Sequence, residues 1–418
     1  MEYIPVLGLK PSEAVLIPTT AYFKSYLVSI AEPTTSRGWT LQDVFKHVKK
    51  MISLKKEFQT RLNPRLKLVA DSGGYQIITG HITERRVKEF TDVYHLILKK
   101  FRADIDLIFS LDINTSKFST DKIKKYNDYS ISQSIKLIKE YPELKDKQLF
   151  VVQSRVPRVL NEWKELMDEH QVYDFYKKYS FGGLVSLKSE TRVQFNHFVP
   201  MVLWLMTYLK SRGAEMPNQI HMLGQSSRVA LITGTLLEEL TGINITMDSS
   251  EIVRFRPIAT SIPMFHKTKD SFKIIRSLTE MSDMLQYHSD PEALKNLEGI
   301  SADLIKGKVS NGTFVELICQ NINNLIRVAD HIIDKNDIND VIQWKSEDFE
   351  NFHEVLTVGR LSTELENNMK LIKTLMPYYN KGDFDGIHQQ VLRIIGSYYD
   401  GTKNKTGIIQ TQKEVDIV

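Results

Sequence analysis

The chain has 418 residues, 42% hydrophobic and 25% charged, with one cysteine, Cys319, and a formal charge of +4. These proportions exclude wholesale disorder, a disulfide framework and a cysteine-built zinc cluster. The charge is uneven, with residues 1–250 netting +8 and residues 251–418 netting −4. A basic half suits a polyanion partner, but on charge alone ordinary surface scatter is the better reading.

From the N-terminus, short apolar and β-branched runs alternate with longer amphipathic stretches. Strands are expected at Val15–Thr19, Leu27–Ala31, Leu66–Ala70, Ile105–Leu111, Leu149–Gln153, Gly183–Leu187, Gln219–Leu223 and Asn244–Met247, each the length of a fully buried strand. Helical patterns lie between most of them: Leu41–Phe58 with Thr40 as N-cap, Thr83–Phe101, Thr120–Tyr141, Val156–Tyr179, Gln194–Ser211 and Ser226–Leu240. The longest apolar run, Phe198–Leu209, contains Pro200 and is shorter than the roughly 20 residues needed to span a bilayer. No basic-then-apolar leader opens the chain. The expectation is a soluble cytoplasmic protein (host cytoplasm if viral) with no membrane partner.

Strand–helix alternation implies parallel pairing through right-handed crossovers. Eight such strands in roughly 240 residues predict an α/β fold, a (β/α)8 TIM-like barrel over residues 1–262. No glycine-rich dinucleotide turn follows an early strand, which disfavours an open doubly wound sheet. Beyond residue 263 the pattern becomes helical, at Phe272–His288, Pro291–Ile305, Thr313–Asp334, Phe352–Leu375 and Phe384–Tyr399. Residues 263–418 are therefore expected to form an acidic helical extension whose polar tail, Gly401–Val418, frays.

In such a barrel, chemistry sits at the C-terminal ends of the strands. Reading those ends in order gives Asp71-Ser72-Gly73-Gly74-Tyr75-Gln76, Asp112-Ile113-Asn114, Gln153-Ser154-Arg155, Phe181-Gly182-Gly183-Leu184, His221-Met222-Leu223-Gly224 and Met247-Asp248-Ser249. A single aspartate after a strand is ordinarily a helix cap or turn former. Three of them, with a glutamine and two glycine-rich ends, suit carboxylate nucleophile and acid–base chemistry on a nitrogenous ligand.

This set resembles the motifs of the tRNA-guanine transglycosylases, in family order over roughly residues 66–257. The resemblance implies that Asp248 is the nucleophile and Asp71 the general acid–base. It implies further that Ser72, Asp112, Gln153, Gly182, Gly183 and Leu184 contact the base, with Tyr75 stacking on it and Leu223 and Gly224 closing the other face. The reaction it implies needs no cofactor.

Departures from the family point within it. The tRNA enzymes carry a zinc site of three cysteines and a histidine, which a chain with one cysteine and no histidine cluster at metal-ligand spacing cannot build. After the Gly-Gly-Leu match the chain reads Val185-Ser186-Leu187-Lys188, placing a lysine where the family has a carboxylate. A cationic 7-substituent on the base is then disfavoured, and a neutral nitrile or amide fits better. After Asp248, Arg254 and Arg256 are candidate grips for backbone phosphates. Lys55, Lys56, Arg61, Arg65, Arg85 and Arg86 are further cations available to nucleic acid, or to solvent. These features resemble the DNA-modifying branch of the superfamily. The expected activity is zinc-free exchange of guanine in DNA for a 7-deazaguanine, 7-cyano-7-deazaguanine or a close amide relative. The alternatives are the same exchange on tRNA, a non-catalytic nucleic-acid-binding or subunit-like paralogue, and a (β/α)8 nucleoside hydrolase. A homodimer is compatible with all of them.

Overall fold

A computed structural model describes residues 1–9, 11, 13–36, 38–113, 120–153, 157–184, 195–225, 227–249, 264–267, 272–275, parts of 319–348, and 359–406. Eight strands form one parallel sheet in the order β1-β8-β7-β6-β5-β4-β3-β2. They are β1 (Glu2–Pro5), β2 (Ser25–Ser29), β3 (Lys67–Asp71), β4 (Leu107–Phe109), β5 (Gln148–Gln153), β6 (Lys178–Gly182), β7 (Gln219–Met222) and β8 (Asn244–Ser249). A parallel bridge between Val6 and Leu27, with the Leu7 amide donating to the Leu27 carbonyl, joins the outermost strands. The sheet is thereby nearly closed into the expected TIM-like barrel, wrapped by helices.

Two strands differ from the sequence expectation. The first is Glu2–Pro5, while Val15–Thr19 lies in helix α1 (Glu13–Tyr22). A short apolar run does not reveal its period, and parallel neighbours β1 and β2 require a crossover between them, which this run supplies. The sixth strand is Lys178–Gly182 rather than Gly183–Leu187. The helix expected to run to Tyr179 stops at Glu169, as α7 (Pro157–Glu169). The two glycines therefore end a strand instead of beginning one, with Gly183 at φ +76°, a conformation open to glycine and strained for other residues. Residues 185–187 lie outside the described residues.

The remaining crossovers follow the predicted pattern. Helix α2 (Leu41–Arg61) starts at a capping box in which the Thr40 hydroxyl and the Asp43 carboxylate satisfy each other's backbone amides. The others are α3 (Gly74–Ile78), α4 (Glu84–Phe101), α5 (Thr120–Glu140), α6 (Leu144–Lys147), α7, α8 (Phe198–Ser211) and α9 (Arg228–Thr241). Side chains divide between two cores, as the twofold alternation of a strand requires. Ile4, Leu27, Val69, Phe109, Leu149 and Val151 fill the barrel interior, and the larger core lies between strands and helices.

Helix α8 is apolar on every side, and residues 198–209 are all buried. Such a helix must be covered on its outer face too, and the C-terminal helices α11 (Gly359–Lys381) and α12 (Phe384–Thr406) do this. Asn368 of α11 donates to Asn196 and Thr233, while the Trp204 indole donates to His388, whose other nitrogen reaches Asn161 at 2.8 Å. The short helix α10 (Ile338–Val341) contacts α9.

The extension is not wholly helical. Phe272–Ile275, expected to open a helix, is β10 and pairs antiparallel with β9 (Met264–Lys267). The four residues Phe-Lys-Ile-Ile are too few to show either period, so they fit a ladder as well as a helix turn. The rest of that expected helix, and Pro291–Ile305, lie outside the described residues. The described residues between Cys319 and Asp334 are helical, and α12 continues to Thr406, past the point where fraying was expected.

Candidate active site

The last inward-facing positions of the strands converge on the C-terminal rim. On β3, Val69 of the barrel core is followed two residues later by Asp71, and on β5 Val151 is followed by Gln153. On β7 His221 precedes Leu223 at the same spacing, and on β8 Thr246 precedes Asp248. Parallel register sets Gln153 beside Gly182, Ser29 beside Asp71 and Ile4 beside Asp248. The barrel thus assembles residues spread over 178 positions of sequence into one site.

Asp248 is 7% exposed, and among the described residues every hydrogen bond to it lands on Oδ1. The Gly224 amide donates to that oxygen at 2.7 Å, and Nε2 of His221 lies 2.9 Å from it. Gly224 reaches in from a turn at φ +69°. Asp71 ends β3 partly exposed, between Asp248 and Asp112 in its electrostatics. Burial raises its pKa, the Ser29 hydroxyl and the Gly73 amide oppose this, and the Asp248 charge adds to the rise. A carboxyl biased towards its protonated form is suited to donate to a leaving group.

Asp112 stands three residues past β4, on irregular backbone pinned from both sides. The buried Asn127 of α5 accepts from the Ile113 amide and donates to the Ile113 carbonyl, each at 2.6 Å. Ser130, also on α5, donates to the Leu111 carbonyl. The Gln153 amide donates to Oδ2 of Asp112. Oδ1 lies against Gly74, where a Cβ would come within 2.7 Å of it. A glycine at position 74 is therefore a space requirement of Asp112. Burial drives the Asp112 carboxyl up to about 7, helped by the Asp71 charge and opposed by the Gln153 hydrogen bond.

The neighbouring glycines have similar explanations. Gly73 has φ +100°, and a Cβ there would lie 2.3 Å from that of Ala31. Gly182 leaves room for Gln153, whose Nε2 would be 2.5 Å from a Cβ.

The other expected site residues fall around this centre. Tyr75, on α3 directly after the Gly-Gly turn, is 62% exposed, a large ring held out at the rim. Leu223 is partly buried against the interior core and Gly183 is partly exposed. Ser72 and the Leu184 side chain are buried, so Leu184 could serve a ligand only through its backbone. Arg254, Arg256, Lys188 and Asn114 lie outside the described residues.

The cation expectations divide. Lys55 is buried in an ion pair with Asp106 at 2.7 Å, Lys56 faces Asp104 and Arg61 faces Glu57. All three are on the C-terminal half of α2, and Arg65 lies two residues before β3, so the four lie at the end of the barrel opposite the site. Arg86 is at the rim, but its guanidinium lies 3.4 Å above the Trp39 ring and pairs with Glu89. Arg85, beside it at the start of α4, is also on the site's end.

Sequence reasoning passed over His221, Asn127, Ser130 and Thr246. A signal for His221 was present: Gln219, His221 and Leu223 alternate on one face of an otherwise buried strand, where polar residues need a partner. The described residues contain no group of three or more His, Cys, Asp or Glu placed to hold a metal ion, and no helix among them is long and apolar enough to cross a membrane. No protein-family model matches the chain, and no curated protein matches it in sequence.

Proposed function

We propose that this protein exchanges guanine in DNA for a 7-deazaguanine through a covalent glycosyl ester on Asp248. The observation that carries the reading is the division of labour among three rim carboxylates. Among the described residues Asp248 accepts hydrogen bonds on Oδ1 alone, Asp71 is biased towards its protonated form, and Asp112 is paired with an amide.

In the first half-reaction a lone pair of Asp248 forms a bond to C1′ as the C1′–N9 bond breaks. The departing electrons go to guanine, which takes a proton from Asp71. In the second half the incoming base attacks C1′ through N9 and gives its N9 proton to Asp71. The ester electrons return to Asp248. In this reading Asp112 accepts from the ring and exocyclic N–H groups of the base, and the second N–H of Gln153 donates to its carbonyl. A guanine and a 7-deazaguanine share that edge, so one pocket serves both. A base lacking it would leave buried polar groups unpaired, at about 1–3 kcal/mol for each group. The exposed Tyr75 ring offers a stacking surface, and a duplex target must be flipped or single-stranded to reach it. DNA as substrate and a neutral 7-substituent rest on the sequence, through the missing cysteines and Lys188.

The test is incubation with labelled 7-cyano-7-deazaguanine and either a guanine-containing DNA oligonucleotide or tRNA. Label entering DNA is the expected result. Label in tRNA alone overturns the DNA assignment, and release of guanine without exchange identifies a hydrolase. Asp248→Asn is expected to abolish a denaturation-resistant adduct with the nucleic acid, and an adduct formed by that variant would assign the nucleophile elsewhere.

A further inference from the structure

Behind Asp248 a line of polar side chains runs down into the barrel, which is unusual in an interior otherwise filled by Ile4, Leu27, Val69, Phe109, Leu149 and Val151. His221 is fully buried, its ring 4.8 Å from that of Phe109. Nε2 lies 2.9 Å from Asp248 Oδ1 and Nδ1 lies 2.8 Å from Thr246 Oγ1. Thr246 Oγ1 in turn accepts from the Gln219 amide at 3.1 Å.

The proton positions follow from the two ends of this line. Asp248 Oδ1 already accepts the Gly224 amide, so it is an acceptor and the facing Nε2 must carry hydrogen. At the other end Thr246 Oγ1 accepts from Gln219 and is able to donate its single hydrogen to Nδ1. The neutral Nε2–H tautomer satisfies every contact in the line.

We propose that His221 is a positioning residue that selects which oxygen of Asp248 attacks. With Nε2–H and the Gly224 amide both on Oδ1, Oδ2 is the oxygen that bonds to C1′, and Oδ1 becomes the ester carbonyl. When the ester breaks, its electrons return to the carboxylate, and the two donors on Oδ1 are already in place to receive that charge. His221 therefore acts mainly on departure of Asp248 from the sugar. The kinetic part of this inference rests on the transglycosylase reading, and the proton assignment does not.

Two experiments test it. In ¹⁵N-histidine-labelled protein, with the ring signals of residue 221 assigned by their loss in His221→Gln, Nε2 is expected to bear the hydrogen. A ring with Nε2 unprotonated overturns the proposal whatever the protein's reaction. The second measures how fast the covalent adduct on a guanine-containing oligonucleotide is discharged by free base. His221→Phe keeps the packing on Phe109 without the donor, and is expected to slow discharge roughly ten- to a hundredfold, the range for losing one hydrogen bond to a charged group. KM for the oligonucleotide should be unchanged, and His221→Gln, which retains an N–H donor, should recover most of the rate. Unimpaired discharge in His221→Phe, or equal loss in both variants, overturns the positioning role. If the unmodified protein forms no adduct with DNA or tRNA, the transglycosylase reading fails, and the ring spectrum alone decides the contact with Asp248.

Discussion

Asp112→Asn tests the electrostatics of the site without any substrate. The Asp112 carboxyl is 4% exposed, and its pKa moves from an ordinary 3.8 to about 7. A folded-state value above the unfolded one means that the native protein binds the extra proton. Stability from this group is therefore complete below pH 3.8 and is lost as pH rises through about 7. From those two values, the folding stability lost relative to acid pH is about 2 kcal/mol at pH 5 and about 4 kcal/mol at pH 8. The asparagine variant carries no such cost and can still accept from Gln153. Relative to the unmodified protein it should gain about 2–3 kcal/mol between pH 5 and pH 8. Urea denaturation at those two pH values measures the gain. Asp71 titrates in both proteins, so most of its contribution cancels in the difference. Stability curves that run parallel from pH 5 to 8 would refute the argument that burial, rather than the amide of Gln153, governs this carboxylate.

Glycine substitutions should separate two kinds of requirement. Gly73→Ala combines a left-handed backbone with contact on Ala31 and should cost about 3 kcal/mol or more. Gly74→Ala meets chiefly the Asp112 carboxyl, whose Oδ1 would be 2.7 Å away, so its cost should fall when combined with Asp112→Ala. Additive losses in the double variant, read by chemical denaturation, would contradict the space argument. Asn127→Ala strands the buried amide and carbonyl of Ile113, at about 1–3 kcal/mol each. It should weaken binding of the free base with Asp112 still present, measured by calorimetry. Asn368→Ala removes three hydrogen bonds between α11 and the barrel layer. It should speed proteolysis of the C-terminal helices while leaving base binding intact.

Much of the barrel was legible because its signals are local. Thr40 with Asp43 announces the start of α2, and runs such as Leu149–Gln153 are apolar and β-branched over the length of one strand. The same locality explains the errors. Val15–Thr19 reads as the first strand but is helical, and Glu2–Pro5 takes that place, because a five-residue apolar run fits either structure and only pairing with β8 and the bridge to Leu27 decides. Phe272–Ile275 was read as helix for the same reason, and its ladder with β9 is a contact that no periodicity contains.

By itself the sequence determined the residue types at the strand ends, the order in which they occur and the single cysteine. It thereby marked Asp71, Asp112, Asp248 and Gln153 as residues at the strand ends able to carry chemistry. Only the tertiary structure decided what those residues do to one another. Closing the barrel brings Gln153 onto Asp112, sets Gly74 against that carboxylate and places His221 under Asp248. Each contact joins residues on different strands or loops and depends on the register between them. A histidine inside a strand is unremarkable until the neighbouring strand puts a carboxylate against its Nε2, and that proximity is a property of the closed sheet.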